Sequence, residues 1–465
     1  MTRQPATRQQ IGAQRFLTRR LAHALVRRDV AMHDDPLRAQ SLSLVVGCLL
    51  AAIAIAACAV LALVRPRGVP ASAPIVMAGE SGALYVRIDD TLHPVLNLAS
   101  ARLIARSAAS PVAASEAAIA RAKRGPMMGI PGAPATIGAP VRGSAWTVCD
   151  GDRTVVAVGD QPLDRFDASR PVLVTPRGES AATTYLLYDG HRAEVDLRST
   201  AVVRALRLGG VAPVRVSRTL LDVVPEAPAL AVPRIAGAGE VGPAALGGVP
   251  IGTVVRVQRA ELSEHYVVLR DGMQSIGEVA ADLIRFAYDR YAKPVAAVAP
   301  AAIAALPIVT GLSVTTFPQH ARTPVGRADG RAVCAQWRPR GSTSSSSNTV
   351  VLNGGSRSED LLDAGVLAQA DGEGPNVDAV VISGGASAYV RSARISGDDG
   401  TTGARFMVSD AGVLFGVHDY DAAKFLGLGP SPDAAPWPVL AHLPRGPELS
   451  TDAASIARDG IPTPS

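Results

Sequence analysis

The sequence SLSLVVGCLLAAIAIAACAVLALV, from Ser41 to Val64, decides how this chain is organised. It runs for 24 residues without a charged side chain, and no other run of this kind occurs in the chain. As an α-helix it would extend roughly 36 Å, which is enough to cross a hydrocarbon core of about 30 Å. The run therefore predicts one transmembrane helix, with an arm before it and a body of 401 residues after it.

The flanking charges predict the side of the membrane that each part occupies. The arm carries eight arginines and three aspartates, whereas only Arg65 and Arg67 follow closely behind the apolar run. Because excess positive charge holds a segment in the cytoplasm, the arm is predicted to be cytoplasmic and the body extracytoplasmic. A cleaved signal peptide is a poorer interpretation, since its apolar region spans only about 7–15 residues. Lipidation at Cys48 or Cys58 is also disfavoured, because both lie inside the apolar run.

The charge balance argues against a nucleic-acid partner. The whole chain holds 46 Lys+Arg and 41 Asp+Glu, so the part after the arm holds 38 of each and is formally neutral. A nucleic-acid-binding body would carry a basic footprint. The basic arm suits membrane lipid or an acidic cytoplasmic partner, although a topology signal alone would also explain its charge.

The body contains two cysteines, Cys149 and Cys334, and the other two lie in the membrane run. Two lone cysteines in an oxidising compartment suggest one disulfide. It would close a loop of 185 residues, and chain entropy then gives an upper figure of roughly 5 kcal/mol. The alternative is a pair of unpaired buried thiols. No Cys/His spacing in the chain is typical of a zinc site.

Four short segments share an aromatic-led strand that enters an Asp-containing turn, which is a hairpin signal. A second strand and an Ala-rich helical stretch follow, so the four matches predict a repeated ββα-like unit. The strand-and-turn segments are Tyr85–Asp90, Tyr185–Gly190, Tyr266–Gly272 and Phe406–Gly412, and the helical stretches are Ala99–Arg106, Ser199–Leu208, Glu278–Phe286 and Asp421–Leu426.

The cysteines fall between copies one and two and between copies three and four, which suggests a two-fold relation. We therefore predict an α+β fold. It comprises an N-terminal cytoplasmic helix, one transmembrane helix, and an elongated extracytoplasmic region in which a mixed central core domain joins four ββα-like repeats in pseudo-two-fold arrangement. Trp146 and Trp337 each lie three residues from a cysteine and are expected to pack near the bridge.

Proline- and glycine-rich segments mark the predicted domain boundaries. Residues after Pro430 are expected to dock in extended form rather than as regular structure. The predicted divisions are 1–40, basic arm; 41–64, transmembrane helix; 65–124, repeat 1; 125–180, core segment 1; 181–222, repeat 2; 223–262, Pro/Gly linker; 263–310, repeat 3; 311–398, core segment 2; 399–430, repeat 4; and 431–465, Pro-rich tail.

Catalytic and metal-binding signatures give no candidate residues. None of the lysines after the membrane run, Lys123, Lys293 and Lys424, stands in a P-loop context. The match Gly237-Ala-Gly239-Glu-Val-Gly242 lies in a proline-rich linker and meets Pro243 at once, so we interpret it as linker glycine. We expect no catalytic residue, no metal and no cofactor from the residues themselves.

The sequence of the arm is specific enough to identify a resemblance. It carries Gly12-Ala13-Gln14-Arg15-Phe16, then His23-Ala24-Leu25-Val26-Arg27-Arg28-Asp29, then Asp35-Pro36-Leu37-Arg38. Later come Gly129-Ile-Pro-Gly-Ala-Pro134, Trp146-x-x-Cys149-Asp150, Cys334-x-x-Trp337 and Pro444-x-Gly-Pro447. In this order and spacing the text resembles EccB, a membrane component of the type VII (ESX) secretion system, over nearly the full chain.

The resemblance implies a bacterial inner-membrane protein that crosses once, with its N-terminus in the cytoplasm and its body in the periplasm. It implies assembly with the motor ATPase EccC and with EccD and EccE into a six-fold complex capped by a mycosin protease. It also implies four repeats and one disulfide, for which Cys149 and Cys334 are the matching positions. Family members are sometimes labelled ATPases, so ATP is a cofactor only by that label, and enzymatic activity stays open.

These observations leave three hypotheses for the function of the chain. The leading hypothesis is a structural and assembly subunit of a protein-export complex, whose arm contacts cytoplasmic neighbours because Leu17, Leu21 and Leu25 share one helical face beside arginines. The alternatives are an extracytoplasmic ATPase or nucleotide hydrolase, and a cell-wall-binding module. In the latter the repeat aromatics would form ligand platforms, although core packing explains them better. The partner-binding residues predicted in the arm are Arg15, Phe16, Arg19, Arg20, Leu21 and Leu25.

Overall fold

The computed structural model divides the chain into two compact units, residues 1–69 with 113–120 and residues 70–112 with 121–465. It describes residues 8–28, 36–64, 72–160, 166–178, 183–259, 262–288, 295–304, 306–329, 332–339, 347–354, 365–372, 374–382, 385–396 and 403–459.

The first unit contains two long helices, α1 (Arg8–Arg27) and α2 (Pro36–Val64). Within α2, Leu42–Leu61 has a mean hydropathy of 2.9 and no buried residue. The apolar run expected to cross the membrane therefore lies entirely within one helix. A helix suits such surroundings because it satisfies its backbone N–H and C=O groups internally.

The remaining elements are mostly short strands and helices. The strands are β1 (Ile75–Ala78), β2 (Leu84–Ile88), β3 (Thr91–Val95), β4 (Val112–Ala114), β5 (Lys123–Arg124), β6 (Ala139–Pro140), β7 (Trp146–Asp150), β8 (Thr154–Val158), β9 (Phe166–Asp167), β10 (Val172–Pro176), β11 (Tyr185–Tyr188), β12 (His191–Glu194), β13 (Val214–Val216), β14 (Val254–Arg259), β15 (Leu262–Leu269), β16 (Gly272–Ile276), β17 (Ala296–Val298), β18 (Ala332–Pro339), β19 (Ser347–Gly354), β20 (Gly365–Val366), β21 (Ala379–Val381), β22 (Ala386–Ala393), β23 (Arg405–Val408), β24 (Leu414–Gly416) and β25 (Asp433–Pro436). The helices are α3 (Leu98–Ala105), α4 (Glu116–Arg121), α5 (Thr200–Ala205), α6 (Arg218–Val223), α7 (Glu278–Tyr288), α8 (Pro300–Ala304), α9 (Tyr420–Leu426), α10 (Trp437–Leu440) and α11 (Thr451–Ala454).

Three sheets share one strand order. They run β12-β11-β10-β13, β16-β15-β14-β17 and β24-β23-β22-β25. In each sheet a strand pairs antiparallel with a hairpin on one side and parallel with a later strand on the other. Near the N-terminus, β1, β2 and β3 repeat the antiparallel part. The four predicted hairpins are present, but the strands β10, β14 and β22 begin before the boundaries expected at 181, 263 and 399.

We call each hairpin together with the helix that follows it a hairpin unit; the four are β2 and β3 with α3, β11 and β12 with α5, β15 and β16 with α7, and β23 and β24 with α9. Local sequence explains how the hairpin and the helix of these units form. Asp89 and Asp189 adopt left-handed backbone conformations, with φ of 50° and 44°, as tight hairpin turns require. Helices α3, α5 and α9 each begin after a side-chain cap, in which Asn97, Ser199 and Asp419 accept a hydrogen bond from the backbone N–H three residues later.

The proline-rich segments cover the outer edges of the hairpins. In all four sheets a following segment runs parallel to the edge strand and hydrogen-bonds to it. Proline is compatible with this position, because only some backbone N–H groups of the covering segment donate to the edge strand. Covering the edge prevents it from pairing with other chains. The four contacts are Met128 N–H to Pro94 O (2.9 Å), Ala227 N–H to Arg192 O (2.8 Å), Val309 N–H to Met273 O (2.8 Å) and Gly446 N–H to Leu414 O (2.9 Å).

The helices of the hairpin units pack in two pairs. Helix α3 packs on α9, and helix α5 packs on α7. Leu103 and Leu426 belong to one buried cluster, while Val202 and Leu283 belong to another. The first hairpin unit is thus joined to the fourth, and the second hairpin unit to the third.

The expectation for the tail was wrong in part. Residues after Pro430 include the regular elements β25, α10 and α11, whereas residues 445–449 do dock in extended form along β24. Strand β25 completes the last sheet by pairing parallel with β22. The prolines fit because Pro438 lies in the first turn of α10, where no backbone N–H donor is needed.

Candidate functional site

A seven-stranded sheet of order β20-β21-β8-β7-β18-β19-β9 carries both body cysteines. Strands β7 and β18 pair antiparallel, with Cys149 directly opposite Cys334 and their Cα atoms 4.1 Å apart. The two sulfurs form a disulfide, and both residues are buried. The cross-link therefore joins two strands that are 185 residues apart in the chain.

The two tryptophans lie on the same strand pair but on the other face of the sheet. Trp146 is opposite Trp337, and both are 1% exposed. Because successive side chains of a strand alternate between faces, residues three apart point in opposite directions. Both indoles join the largest apolar cluster, to which neither cysteine belongs. The expectation that they pack near the bridge is corrected accordingly.

Next to the disulfide, Asp150 is a carboxylate at the end of β7 that is only 2% exposed. It accepts hydrogen bonds from the Thr154 hydroxyl at 2.7 Å and from the Ser217 backbone N–H at 2.5 Å. Ser217 is also the N-cap of α6, since its side chain accepts from Leu220 N–H. Asp150 thus fastens the central sheet to the start of the helix that follows the second hairpin unit.

A second buried carboxylate, Asp378, binds the same turn between β7 and β8. It accepts from Thr154 N–H at 2.7 Å and from the backbone N–H groups of Asp371 and Gly372, also at 2.7 Å. These bonds tie the strand β8 to the loop before β21. Polar groups removed from water are normally paired in this way, because an unpaired one is costly.

The positive charge beside these carboxylates comes from Arg177, at the end of the second sheet. Its guanidinium donates to Gly151 O at 2.7 Å and to Arg215 O at 3.3 Å, and it is 8% exposed. Burial raises the pKa of Asp150, and the Arg177 charge opposes that shift. The cluster is enclosed and its hydrogen bonds are internal, so its role is to hold segments together rather than to meet a substrate.

The residues predicted for partner binding lie on α1. Phe16, Leu17, Leu21 and Leu25 are exposed by 56%, 56%, 64% and 83%, respectively. Leu17, Leu21 and Leu25 follow a spacing of four, which places them along one helical face. Arg15, Arg19 and Arg20 are exposed on the same helix. The arm therefore presents an apolar stripe beside arginines, as the sequence predicts.

The aromatic residues that open the four hairpin units are partly or fully enclosed. Tyr85 and Tyr266 are each 8% exposed, whereas Tyr185 and Phe406 are half-buried. Arg124 lies over the Tyr85 ring at 5.9 Å, and Arg192 lies over the Tyr185 ring at 5.7 Å. They act mainly as packing residues of their sheets, which leaves little ring surface for a sugar platform.

The glycine-rich match at 237–242 forms turns rather than a nucleotide cradle. Gly237 and Gly239 have φ of 72° and 90°, and Glu240 pairs with Arg270 at 2.6 Å. The next element is a short 3-10 turn at Ala244–Leu246, whereas a dinucleotide site needs a long helix whose N-terminus faces the phosphates. This geometry agrees with the linker interpretation.

Sequence reasoning gave no joining role to Asp150, Arg177 and Asp378. It also gave none to Arg102, which donates to Leu426 O, or to Arg204, which lies over the Phe286 ring. A charged residue within an apolar strand, as at Asp150, was the one available signal. The partners could not be read from the sequence, because Asp150 and Ser217 or Thr154 and Asp378 are far apart along the chain.

Comparisons with known proteins match almost the whole chain. A family profile described as "Type VII secretion system ESX-1, transport TM domain B" matches residues 3–463. The ESX-3 secretion system ATPase EccB3 of Mycolicibacterium smegmatis is 35% identical, over 98% of this chain and 92% of that protein. The ESX-2 secretion system ATPase EccB2 of Mycobacterium tuberculosis is 36% identical, over 98% and 96%.

Solved structures agree with the sequence comparisons. A chain of an intact ESX-5 inner membrane complex matches with a TM-score of 0.70 and 30% identity, covering 100% of this chain and 98% of that one. The EccB3 dimer from the ESX-3 core complex matches with a TM-score of 0.70 and 32% identity, covering 83% of this chain and all of that one.

Proposed function

Because the chain belongs to the EccB family of the type VII secretion system, we propose that it is a structural and assembly subunit of an inner-membrane protein-export complex. The observation that carries this proposal is the end-to-end match to a chain of an intact ESX-5 inner membrane complex. A match that includes both the apolar helix and the body supports a shared role in membrane anchoring and assembly.

The proposed topology places α1 in the cytoplasm and the body in the periplasm. The charge excess of the arm over the residues behind α2 supports this orientation. The disulfide supports it too, because such bonds persist in oxidising compartments. An EccC-type motor ATPase, EccD, EccE and a mycosin protease are the proposed neighbours, in a six-fold assembly.

The proposed organisation of the body is four repeats about a disulfide-bonded core in pseudo-two-fold arrangement. Its support is the strand order shared by three sheets and the pairing of α3 with α9 and of α5 with α7. Under this proposal each repeat comprises three antiparallel strands, a helix and a returning strand, so it extends beyond the ββα-like unit that the sequence predicts.

Purification of the full-length protein from its own membrane in mild detergent tests the assembly role. We expect a particle of megadalton scale that contains a motor ATPase and a many-spanning membrane protein, identified by mass spectrometry. Recovery of a lone monomer or dimer under conditions that preserve the other subunits' complex would reject it.

The arm is tested by replacing Arg15, Arg19 and Arg20 with Glu. Charge reversal should remove the complex from the membrane extract while the body stays folded and its disulfide stays formed. A matched control replaces with Glu the arginines Arg8, at the start of α1, and Arg28, just after its end, both of which are also exposed. Formation of the disulfide in each variant reports that the body still reaches the periplasm. Normal assembly after the triple change would contradict the proposed contact.

Hydrolysis of ATP is the alternative, because the names of the relatives contain the word ATPase. Turnover by the purified full-length chain, lost on removal of one identifiable pocket residue, would favour it. Activity that follows a co-purifying motor protein instead would assign hydrolysis to the partner.

A further inference from the structure

Residues 127–129 run along the edge of β3 and carry a second extended segment on their other side. Towards β3, the Met128 N–H donates to Pro94 O at 2.9 Å. On the outer side, Ala457 pairs antiparallel with Met128. We call residues 456–459, which hold this outer position, the strap. The segment at 127–129 is therefore a strand with one neighbour from the first hairpin unit and one from a distant part of the chain.

Hydrogen bonds hold the strap on this segment. The Arg458 N–H donates to Met127 O at 2.8 Å, and the Met127 N–H donates to the Asp459 carboxylate at 2.9 Å. The Arg458 guanidinium donates to Gly129 O at 2.8 Å. These groups point away from β3, as the alternating pattern of a strand between two neighbours requires. The contact is thus a strand addition that the chain makes to itself.

The strap is held without an apolar anchor. Ile456 is 49% exposed, and Ala457 and Arg458 are exposed as well. The segment along β24 is held differently, because Leu449 is fully buried and its N–H donates to Gly416 O at 2.7 Å. Hydrogen bonds at the surface exchange with bonds to water at little net cost in free energy. We therefore expect the strap to open more readily than the segment along β24.

The segment under the strap is fixed from its other side. The Ile130 N–H donates to the Ser100 hydroxyl at 2.9 Å, and Ile130 O accepts from the Asn97 side chain at 2.8 Å. Ser100 and Asn97 are buried at the start of α3, so these bonds do not depend on the strap. Beside the segment, Leu96 and Met127 stay 42% and 37% exposed. The strap therefore leaves apolar surface that a different strand could cover.

We propose that residues 127–129 are a strand-addition site for an extended segment of another protein, and that the strap masks this site until the segment displaces it. The strap shows the chemistry that the occupant needs, namely a backbone N–H for Met127 O and a carboxylate for the Met127 N–H. An apolar side chain opposite Met127, where the strap has Arg458, would add the burial that the strap lacks. The site does not rest on the assembly role, because it and its mask lie in one chain.

A peptide copy of the strap tests the site. The probe is a blocked, fluorescently labelled peptide with the sequence of residues 455–459, and fluorescence anisotropy measures its binding to the protein in detergent. One receptor is the intact chain, and the other ends at Ser455 and lacks the strap. We expect saturable binding to the second receptor. Binding to the intact chain should be about tenfold weaker or more, because the tethered strap competes at an effective concentration on the order of 1 mM.

Changes in the peptide identify the occupant. N-methylation of its arginine amide should abolish binding, because that amide donates to Met127 O in the strap. Replacement of its arginine by leucine should tighten binding, since leucine would face Met127 across the two strands. A preference for arginine, the residue of the strap itself, would assign the site to the strap of a second copy and overturn the proposed partner.

Substitutions in the intact chain test the mask. Asp459→Ala removes the acceptor of the Met127 N–H and should strengthen peptide binding severalfold, because the strap then competes less well. Asp452→Ala is the matched control, since it removes an exposed carboxylate from α11. Equal peptide binding by these two variants would overturn the masking role, whether or not the shortened chain folds.

Hydrogen exchange of the intact chain measures the opening of the strap directly. The Arg458 amide should exchange faster than the Leu449 amide, because only the second belongs to a segment with a buried anchor. Equal exchange of the two amides would overturn the proposal. So would the absence of saturable peptide binding to the chain that ends at Ser455, provided that its circular dichroism and its disulfide match those of the intact chain.

Discussion

The two helix pairs of the body use an arginine at the same position for different contacts. Arg102 lies five residues after the N-cap Asn97 of α3, and Arg204 lies five residues after the N-cap Ser199 of α5. The Arg102 guanidinium donates to Leu426 O at 2.7 Å, at the end of α9. The Arg204 guanidinium instead lies 4.4 Å above the ring centre of Phe286 in α7.

The difference follows from the lengths of the partner helices. Helix α9 has 7 residues and stops at Gly427, which adopts a left-handed φ of 79°. Its last carbonyls therefore face Arg102 without an intrahelical donor. Helix α7 has 11 residues, and Arg204 meets the aromatic side chain of Phe286 in its last turn rather than a terminal carbonyl. One sequence position thus serves as a helix cap in one pair and as a ring contact in the other.

The largest effect should come from removing the disulfide, because this cross-link holds together the sheet that lies between the two helix pairs along the chain. Replacing Cys149 and Cys334 with Ala should lower the free energy of unfolding by up to about 5 kcal/mol, because the unfolded chain regains the entropy of a long loop. Denaturation of the full-length protein in detergent, followed by tryptophan fluorescence, measures this. The control replaces Cys48 and Cys58. Equal midpoints for both double variants would show that the loop closure contributes nothing.

Asp150→Ala should act more strongly on the second and third units than on the first and fourth. It leaves Arg177 without its buried counter-charge and Ser217 N–H without an acceptor, at a cost of about 3–5 kcal/mol. Hydrogen exchange should show a larger loss of protection in α6 and in the pair α5 and α7 than in the pair α3 and α9. Asp152→Ala, at an exposed neighbour, is the control. Equal loss in both pairs would contradict this asymmetry.

The same carboxylate should also give a pH dependence. Because burial raises the pKa of Asp150, the folded state keeps the proton to a higher pH than the unfolded chain does. The part of its contribution to stability that depends on the bound proton is therefore fully present below about 3.8 and is lost as pH rises through the folded value. The pH profile of the unfolding midpoint in wild type minus that in Asp150→Ala isolates it.

The two arginines themselves give the sharpest test of the comparison. Arg102→Met leaves the Leu426 carbonyl without its donor, which costs about 1–3 kcal/mol. Arg204→Met keeps the apolar contact with Phe286 and loses mainly the cation–π attraction, about 0.5–1 kcal/mol. Thermal unfolding should therefore rank the first variant as less stable. Substitution by Lys should restore part of each contact, and an inverted ranking would reject the interpretation of Arg102 as a cap.

The smallest effect should come from His418, beside the segment that covers the edge of β24. Glu448 accepts from its ring at 2.9 Å and raises the pKa of His418. The stabilisation is present below the ordinary value of about 6.5 and is lost as pH rises through the raised one. Glu448→Gln should return the pKa towards its ordinary value in an NMR titration, whereas Glu194→Gln should not. An unchanged titration in Glu448→Gln would show that another group sets it.

The sequence by itself determined the parts whose signal is local. A run of uncharged residues requires a helix in an apolar medium, so α2 follows from composition alone. The hairpins follow from strand text and turns at Asp89 and Asp189, where few residue types fit. The caps Asn97, Ser199 and Asp419 likewise act on residues three positions away.

Only the tertiary structure decided the partners over long distances. The sequence did not reveal that β10, β14 and β22 belong to these sheets, because the sequence of an apolar strand does not specify which strand it pairs with. The tail formed β25 for the same reason, since pairing with β22 supplied the hydrogen bonds that its own sequence could not. Arg102 and Arg204 illustrate the physical limit, because the same side chain in the same helical position takes whatever acceptor or ring the packing brings within reach.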